Sequence, residues 1–176
     1  MLFFHANKNS GKTADMEKNM VVLEIKDYGT IKIELDEKNA PISSENFKNL
    51  VEEGFYDGII FHRVIGNFMI QGGDPMGIGI GGSGHNIKGE FAANGVNNPI
   101  KHKRGTLSMA RSQNFNSASS QFFICHVDCP FLDGQYAAFG QVIEGIEVVD
   151  KIASVKTDMR DKPINDVVIE RAYIED

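Results

Sequence analysis

Arg63 and Gln71 are the side chains best suited to directed chemistry. They share one stretch, Phe61-His62-Arg63-Val64-Ile65-Gly66-Asn67-Phe68-Met69-Ile70-Gln71-Gly72-Gly73-Asp74. It reads as two short apolar strands joined at Gly66-Asn67, a pair that supplies the positive φ of a tight hairpin. Arg63 carries a charge it cannot lose, on a rigid fork of donors. Among apolar strand neighbours, such a group either snorkels to a nearby carboxylate or has a task. Gln71 ends the same hairpin and shares a strand face with Met69 by the period of two. Two glycines follow it, where backbone can be approached closely. An arginine, an aromatic, a thioether and an amide on one hairpin describe an apolar pocket with a few polar directors.

Other constellations are incomplete. Gly77-Ile78-Gly79-Ile80-Gly81-Gly82-Ser83-Gly84 is glycine-rich, but no helical run follows it. It contains no Gly-Lys-Ser/Thr and no Gly-x-Ser-x-Gly elbow around Ser83. A long surface loop shaping one side of a groove is the better reading. Cys125 and Cys129 stand four apart near His126 and Asp128. A zinc site needs two more ligands, and His5, His62, His85 and His102 supply no such cluster. The expectation is two reduced thiols in a cytoplasmic protein, with no metal and no cofactor.

The totals agree with a plain catalytic or binding domain. A chain of 176 residues suffices for one domain with its own core. A formal net charge of −6 argues against nucleic acid or an anionic membrane as the default partner. No run of apolar residues is long enough to span a bilayer. Met1-Leu2-Phe3-Phe4 is too short and too abruptly polar afterwards for a secretory signal.

The positioning elements follow from periodicity. Residues 1–18 read as a polar, loosely ordered tail, and residues 19–176 as one domain. Val21 to Lys26 and Ile31 to Leu35 are strands around a turn, the second strictly alternating. Pro41 opens a helix, with Ser43 or Ser44 as capping candidates and Gly54 as its end. Further strands are expected at Thr106 to Ala110, Gln121 to His126, Tyr136 to Val142 and Val167 to Ile174. A second helix over residues 144–152 carries Ile146, Val149 and Ile152 on one stripe. The core candidates are Val22, Ile31, Ile33, Leu35, Phe122, Ile124 and Phe139. Many antiparallel strands with two helices point to a mainly β closed barrel whose ends the helices cover.

Phe-His-Arg-Val-Ile followed by Phe-Met-Ile-Gln-Gly-Gly-Asp resembles the cyclophilins, the peptidyl-prolyl cis-trans isomerases. The likeness continues at Gly105-Thr106-Leu107-Ser108-Met109-Ala110, at Ser119-Ser120-Gln121-Phe122-Phe123-Ile124 and at Phe131-Leu132-Asp133-Gly134. It covers roughly residues 20 to 174 with the motifs in the family's order. The resemblance implies a closed eight-stranded antiparallel β-barrel capped by two α-helices. It also implies a monomeric enzyme that rotates X-Pro bonds without a cofactor or covalent intermediate. Its partners would be proline-containing peptides and unfolded or folding proteins. Carried over residue by residue, Arg63 is the catalytic donor and Gln71 holds substrate backbone. Phe68, Met69, Phe123 and Leu132 form the proline socket, with Phe131 and Tyr136 on its rim. Ala110, Arg111 and Gln121 complete the substrate-binding set.

Three departures from the best-known eukaryotic members stand out. Phe131 replaces a Trp and Tyr136 a His, as in bacterial single-domain members, and Arg111-Ser112 follow Met109-Ala110. The loss of the indole donor implies reduced affinity for cyclosporin A, the family's cyclic peptide inhibitor. A second reading, a peptide-binding module whose turnover is incidental, has no use for a donor to the prolyl nitrogen.

Overall fold

The computed structural model describes residues 19–176, and the expected tail over residues 1–18 lies outside them. In chain order the elements are β1 (Met20–Ile25), β2 (Gly29–Leu35), α1 (Pro41–Glu52), β3 (Arg63–Ile65) and β4 (Met69–Gly72). There follow β5 (Thr106–Met109), β6 (Phe122–Cys125), β7 (Ala138–Glu144), α2 (Ile146–Ala153) and β8 (Ile169–Ile174). All strand pairs are antiparallel, in one sheet of order β3-β4-β6-β5-β7-β2-β1-β8.

The sheet curls into an open half-barrel, which corrects the expectation of a closed one. Its edge strands, β3 and β8, share no ladder. Residues 58–61, just ahead of β3, bridge the gap instead. Phe61 N–H donates to the Val167 carbonyl at 2.9 Å and Ile169 N–H to the Ile59 carbonyl at 2.9 Å. These bonds satisfy edge groups that would otherwise be exposed templates for pairing.

The inner face holds the main core. Ile31, Ile33 and Leu35 point inward from β2, joined by Phe122, Ile124 and Phe139, as the alternation requires. Val22 is buried but outside that cluster; Val21, Leu23 and Ile25 are the inward residues of β1. Five apolar residues among the six of β1, four of them consecutive, leave its phase ambiguous in sequence, and the register decides. Val22 pairs with Lys32 and Tyr173 on the outer face.

The helix α1 starts at Pro41, whose ring fixes φ and whose missing N–H is one the first turn leaves unpaired. Neither Ser43 nor Ser44 caps it, because both lie buried within its first turn. Glu90 takes that role: it accepts N–H bonds from Ile42 at 3.2 Å and Ser43 at 2.6 Å, and the Ser43 hydroxyl at 2.8 Å. A carboxylate at a helix N-terminus also complements the macrodipole. The buried Phe47 ring of α1 meets Tyr56 at 5.1 Å and both Phe122 and Phe139 at 5.4 Å. Removing that ring should cost about 3–5 kcal/mol. The buried stripe of α2 is Val148, Val149, Ile152 and Ala153, with Ile146 only half-buried. These contacts hold α1 against β7 and β8, and α2 against β2, β3 and β4.

Candidate active site

The site lies on the opposite face of the sheet, and strand register builds it. Arg63 pairs with Gln71 across β3–β4, Gln71 with Phe123 across β4–β6, and Phe123 with Ser108 across β6–β5. Asn67 closes the β3–β4 hairpin at φ +62°. Four strands therefore present Arg63, Gln71, Phe123 and Ser108 as one row. The adjoining row, Ile65, Met69 and Cys125, belongs to a small second apolar cluster with Phe123, Cys129 and Leu132.

Above these rows is a cavity of about 140 Å³. Arg63, Phe68, Met69, Gln71, Ala110, Arg111, Phe123, Leu132 and Tyr136 line it, and every one of them was expected at the site. Gln121 lines an adjoining cavity of about 420 Å³, which also touches Gln71, Ala110 and Arg111. Phe131 lines neither. It is 67% exposed and leans on Phe68 with ring centres 5.6 Å apart, a rim position.

A chain of amide contacts fixes the polar groups. Arg63 can only donate, and its Nη1–H reaches Gln71 Oε1 at 3.2 Å. That turns the Gln71 amide so its Nε2–H donates to Gln121 Oε1 at 3.0 Å, and Gln121 Nε2–H donates to the Gly81 carbonyl at 2.9 Å. One N–H of Arg63 is so engaged, leaving four donors on an exposed guanidinium. The ion pairs among the described residues join Lys32 to Glu175, Lys48 to Glu37 and Arg104 to Asp150, and the rings of His102 and His126 contact Asp133 and Asp150. Arg63 therefore does not snorkel to a carboxylate.

Two buried arrangements hold this surface rigid, and neither was anticipated. Beneath Phe123, the ring of His102 stacks with its centre 6.0 Å away. A carboxylate accepts only, so His102 Nδ1–H donates to Asp133 at 3.0 Å and Nε2 accepts the Ser108 hydroxyl at 2.9 Å. Burial keeps His102 below the usual imidazole value, against the pull of Asp133. The Asp–His–Ser order matches a nucleophile relay, but Ser108 has no exposed surface and cannot meet a substrate carbonyl. Asp133 was legible only as part of the Phe131–Gly134 motif.

The second arrangement pins the glycine-rich loop. Asp74, buried, accepts amide N–H bonds from Met76 at 2.8 Å, Ile78 at 3.1 Å and Gly79 at 2.6 Å. Burial pushes this carboxyl up, but the converging amides more than offset it and leave it below the usual range. The loop so fixed brings Gly79, Ile80 and Gly81 to the wall of the larger cavity, facing Ser112, Ser117 and Ser119. Gly73 (φ +92°) lets it leave β4, since a Cβ there would clash with the Ser120 carbonyl. Behind the site, Cys125 and Cys129 are free and buried, and burial raises both thiols above their ordinary range. They are packing groups, not nucleophiles.

A curled antiparallel sheet thus carries an apolar socket, a hydrogen-bonded arginine and an adjoining groove on one face. The model of the cyclophilin type peptidyl-prolyl cis-trans isomerase family matches residues 20–174. A peptidyl-prolyl cis-trans isomerase of Helicobacter pylori (strain ATCC 700392 / 26695) is 51% identical over 126 residues, 70% of this chain and 74% of that one. One from Schizosaccharomyces pombe is 43% identical over 145 residues, covering 82% and 92%. A crystal structure of a Cryptosporidium parvum cyclophilin type isomerase, obtained in the presence of the dipeptide Ala-Pro, superimposes with a TM-score of 0.82. It is 36% identical and covers 89% of this chain and 99% of that one. The chain belongs to the cyclophilin-type peptidyl-prolyl cis-trans isomerases, enzymes that rotate the peptide bond preceding proline.

Proposed function

We propose that the smaller cavity seats the proline ring and that Arg63 is the catalytic donor. Rotation of an X-Pro bond faces a barrier of about 20 kcal/mol, because amide resonance must be broken. In the twisted state the prolyl nitrogen becomes pyramidal and regains a lone pair. A donor aimed at it stabilises the transition state more than the ground state, which is the condition for raising the rate. Arg63 meets the chemical requirement, being charged at every relevant pH and held at the cavity mouth by Gln71. Gln71 and the Gln121 amide behind it hold substrate backbone. Phe68, Met69, Phe123 and Leu132 enclose the ring, with Tyr136 and Phe131 at the rim and Ala110 and Arg111 extending the surface.

Magnitudes set the division of labour. An acceleration of five decades needs about 7 kcal/mol. One charge-assisted hydrogen bond supplies about 1.5–3 kcal/mol. The remainder comes from removing the amide from water and binding it already twisted. The observation that carries this reading is the convergence of the eight other lining residues on the Arg63 guanidinium, which has no carboxylate partner among the described residues.

The substrates are proline-containing peptides and folding proteins, acted on by a cytoplasmic monomer. Residues 19–176 carry the activity, with residues 1–18 dispensable for it. Cyclosporin A fills the same groove with reduced affinity. The direct test follows cis–trans exchange of a short X-Pro peptide by NMR at catalytic protein concentrations. Exchange broadening that scales with protein supports the reading; unchanged cis and trans lines would contradict it.

A further inference from the structure

Arg111 is built into the groove in an unusual way for a surface arginine. Its guanidinium carbon lies 4.4 Å from the ring centre of Tyr136 and 5.0 Å from those of Phe91 and Phe115. Nε–H and Nη2–H donate to the Gln135 carbonyl at 3.2 and 2.6 Å, and Nη1–H to the Ser112 carbonyl at 2.9 Å. Three of its five donors are so used, and none goes to a carboxylate. The rings and carbonyls fix its plane but leave its unit charge uncompensated.

This charge borders both cavities. Arg63 is the other charged residue lining the smaller one, and Arg111 is the lone charged residue lining the larger. In a chain of formal net charge −6, the groove is thus cationic and free of lining carboxylates. The larger cavity, about 420 Å³, has room for a side chain of the peptide beside the seated proline. The rest of its wall is amide, hydroxyl, glycine backbone, Ile80 and Ala110, groups that neither attract nor repel charge strongly.

We propose that Arg111 makes this isomerase selective for acidic segments: X-Pro bonds with an aspartate or glutamate within a few residues of the proline are turned over faster than neutral ones, and basic ones more slowly. A preformed guanidinium loses little conformational freedom on meeting a carboxylate. Its partial exposure keeps the gain modest, about three- to tenfold in kcat/KM at low salt. The selectivity rests on the isomerase reading and adds a substrate class to it.

The test uses blocked tetrapeptides containing Glu, Gln or Lys, placed directly before the proline or two residues after it. Catalysed cis–trans exchange is measured for the full chain, Arg111→Gln and Arg111→Lys, at about 20 mM and about 300 mM salt, which lie either side of effective screening. The expected order is Glu over Gln over Lys in at least one series. The Glu-to-Gln ratio should shrink with salt, fall to near one in Arg111→Gln and survive in part in Arg111→Lys. Equal turnover of Glu and Gln peptides by the unmodified chain, or a ratio that Arg111→Gln leaves intact, overturns the selectivity while the isomerase reading stands. If Arg111→Gln fails to fold, the salt dependence in the unmodified chain and Arg111→Lys decides, and a salt-independent ratio overturns the proposal. No catalysis of any peptide would overturn the isomerase reading and the selectivity together.

Discussion

A guanidinium and an amide 3.2 Å apart sit where an apolar socket opens, and the type of each side chain explains its place. Arginine can only donate, so it fixes the Gln71 amide, which in turn fixes Gln121. Sequence exposed these residues because a charge and an amide interrupt an apolar hairpin at period-two spacing. It did not expose His102, Ser108 or Glu90, since a buried polar residue announces itself only when its distant partner is known. Phe131 gives the residue-scale prediction. It is exposed on the rim against Phe68 and has no donor for a ligand. Phe131→Trp adds an indole N–H. Cyclosporin A should then inhibit about two- to tenfold more tightly, as one net hydrogen bond of about 0.5–1.5 kcal/mol allows. Inhibition constants for the two proteins check this, and equal values would refute it.

Among the elements, the hairpin, both helices and most strands were readable from alternation and helical spacing. The misreadings share one cause: their answers lie far away in the chain. The capping of α1 comes from Glu90, and the phase of β1 is settled by its ladders with β2 and β8. The gap between β3 and β8 is bridged by an isolated pairing of Ile60 with Val168 and its flanking bonds, a partnership between segments over a hundred residues apart that local pattern does not reveal. The glycine-rich loop, by contrast, is held by a near neighbour in sequence, Asp74. Asp74→Asn keeps the shape but turns an NH₂ toward converging amides, so it should cost about 1–3 kcal/mol. Hydrogen exchange should accelerate at the Ile78 and Gly79 amides while β1 and β2 amides keep their protection. Unchanged protection in the loop would show that its glycine backbone holds without the carboxylate.

Taken whole, the molecule stores an acid sensitivity apart from its chemistry. Burial lowers both His62 and His102 below the ordinary histidine value of 6.5, and His62 Nδ1 has no partner. As pH falls through about 6.5 the unfolded chain binds protons that the folded one refuses, so stability present above that value is lost below it. Asp74 and Asp133, held below their ordinary 3.8, add a second loss at lower pH by the same sign. The melting temperature should therefore fall between pH 7 and pH 5, and fall less in His62→Gln, which removes one such group. A melting temperature that is flat or rises over that interval would contradict the assignment of both rings as buried and neutral.

Arg63→Ala, with Arg63→Lys beside it, bears most directly on the mechanism when turnover, peptide affinity and melting temperature are measured on the same preparations. Alanine removes charge and fork; lysine keeps the charge but makes it a mobile point on a different reach. An arginine acting on the twisted amide predicts that kcat/KM falls by about 2–4 kcal/mol, or roughly 30- to 1000-fold, for alanine. Peptide affinity by calorimetry should fall far less, and the melting temperature should hold, because Arg63 is exposed and makes one side-chain hydrogen bond. Near-unmodified turnover by a folded Arg63→Ala protein would contradict the role assigned to this arginine.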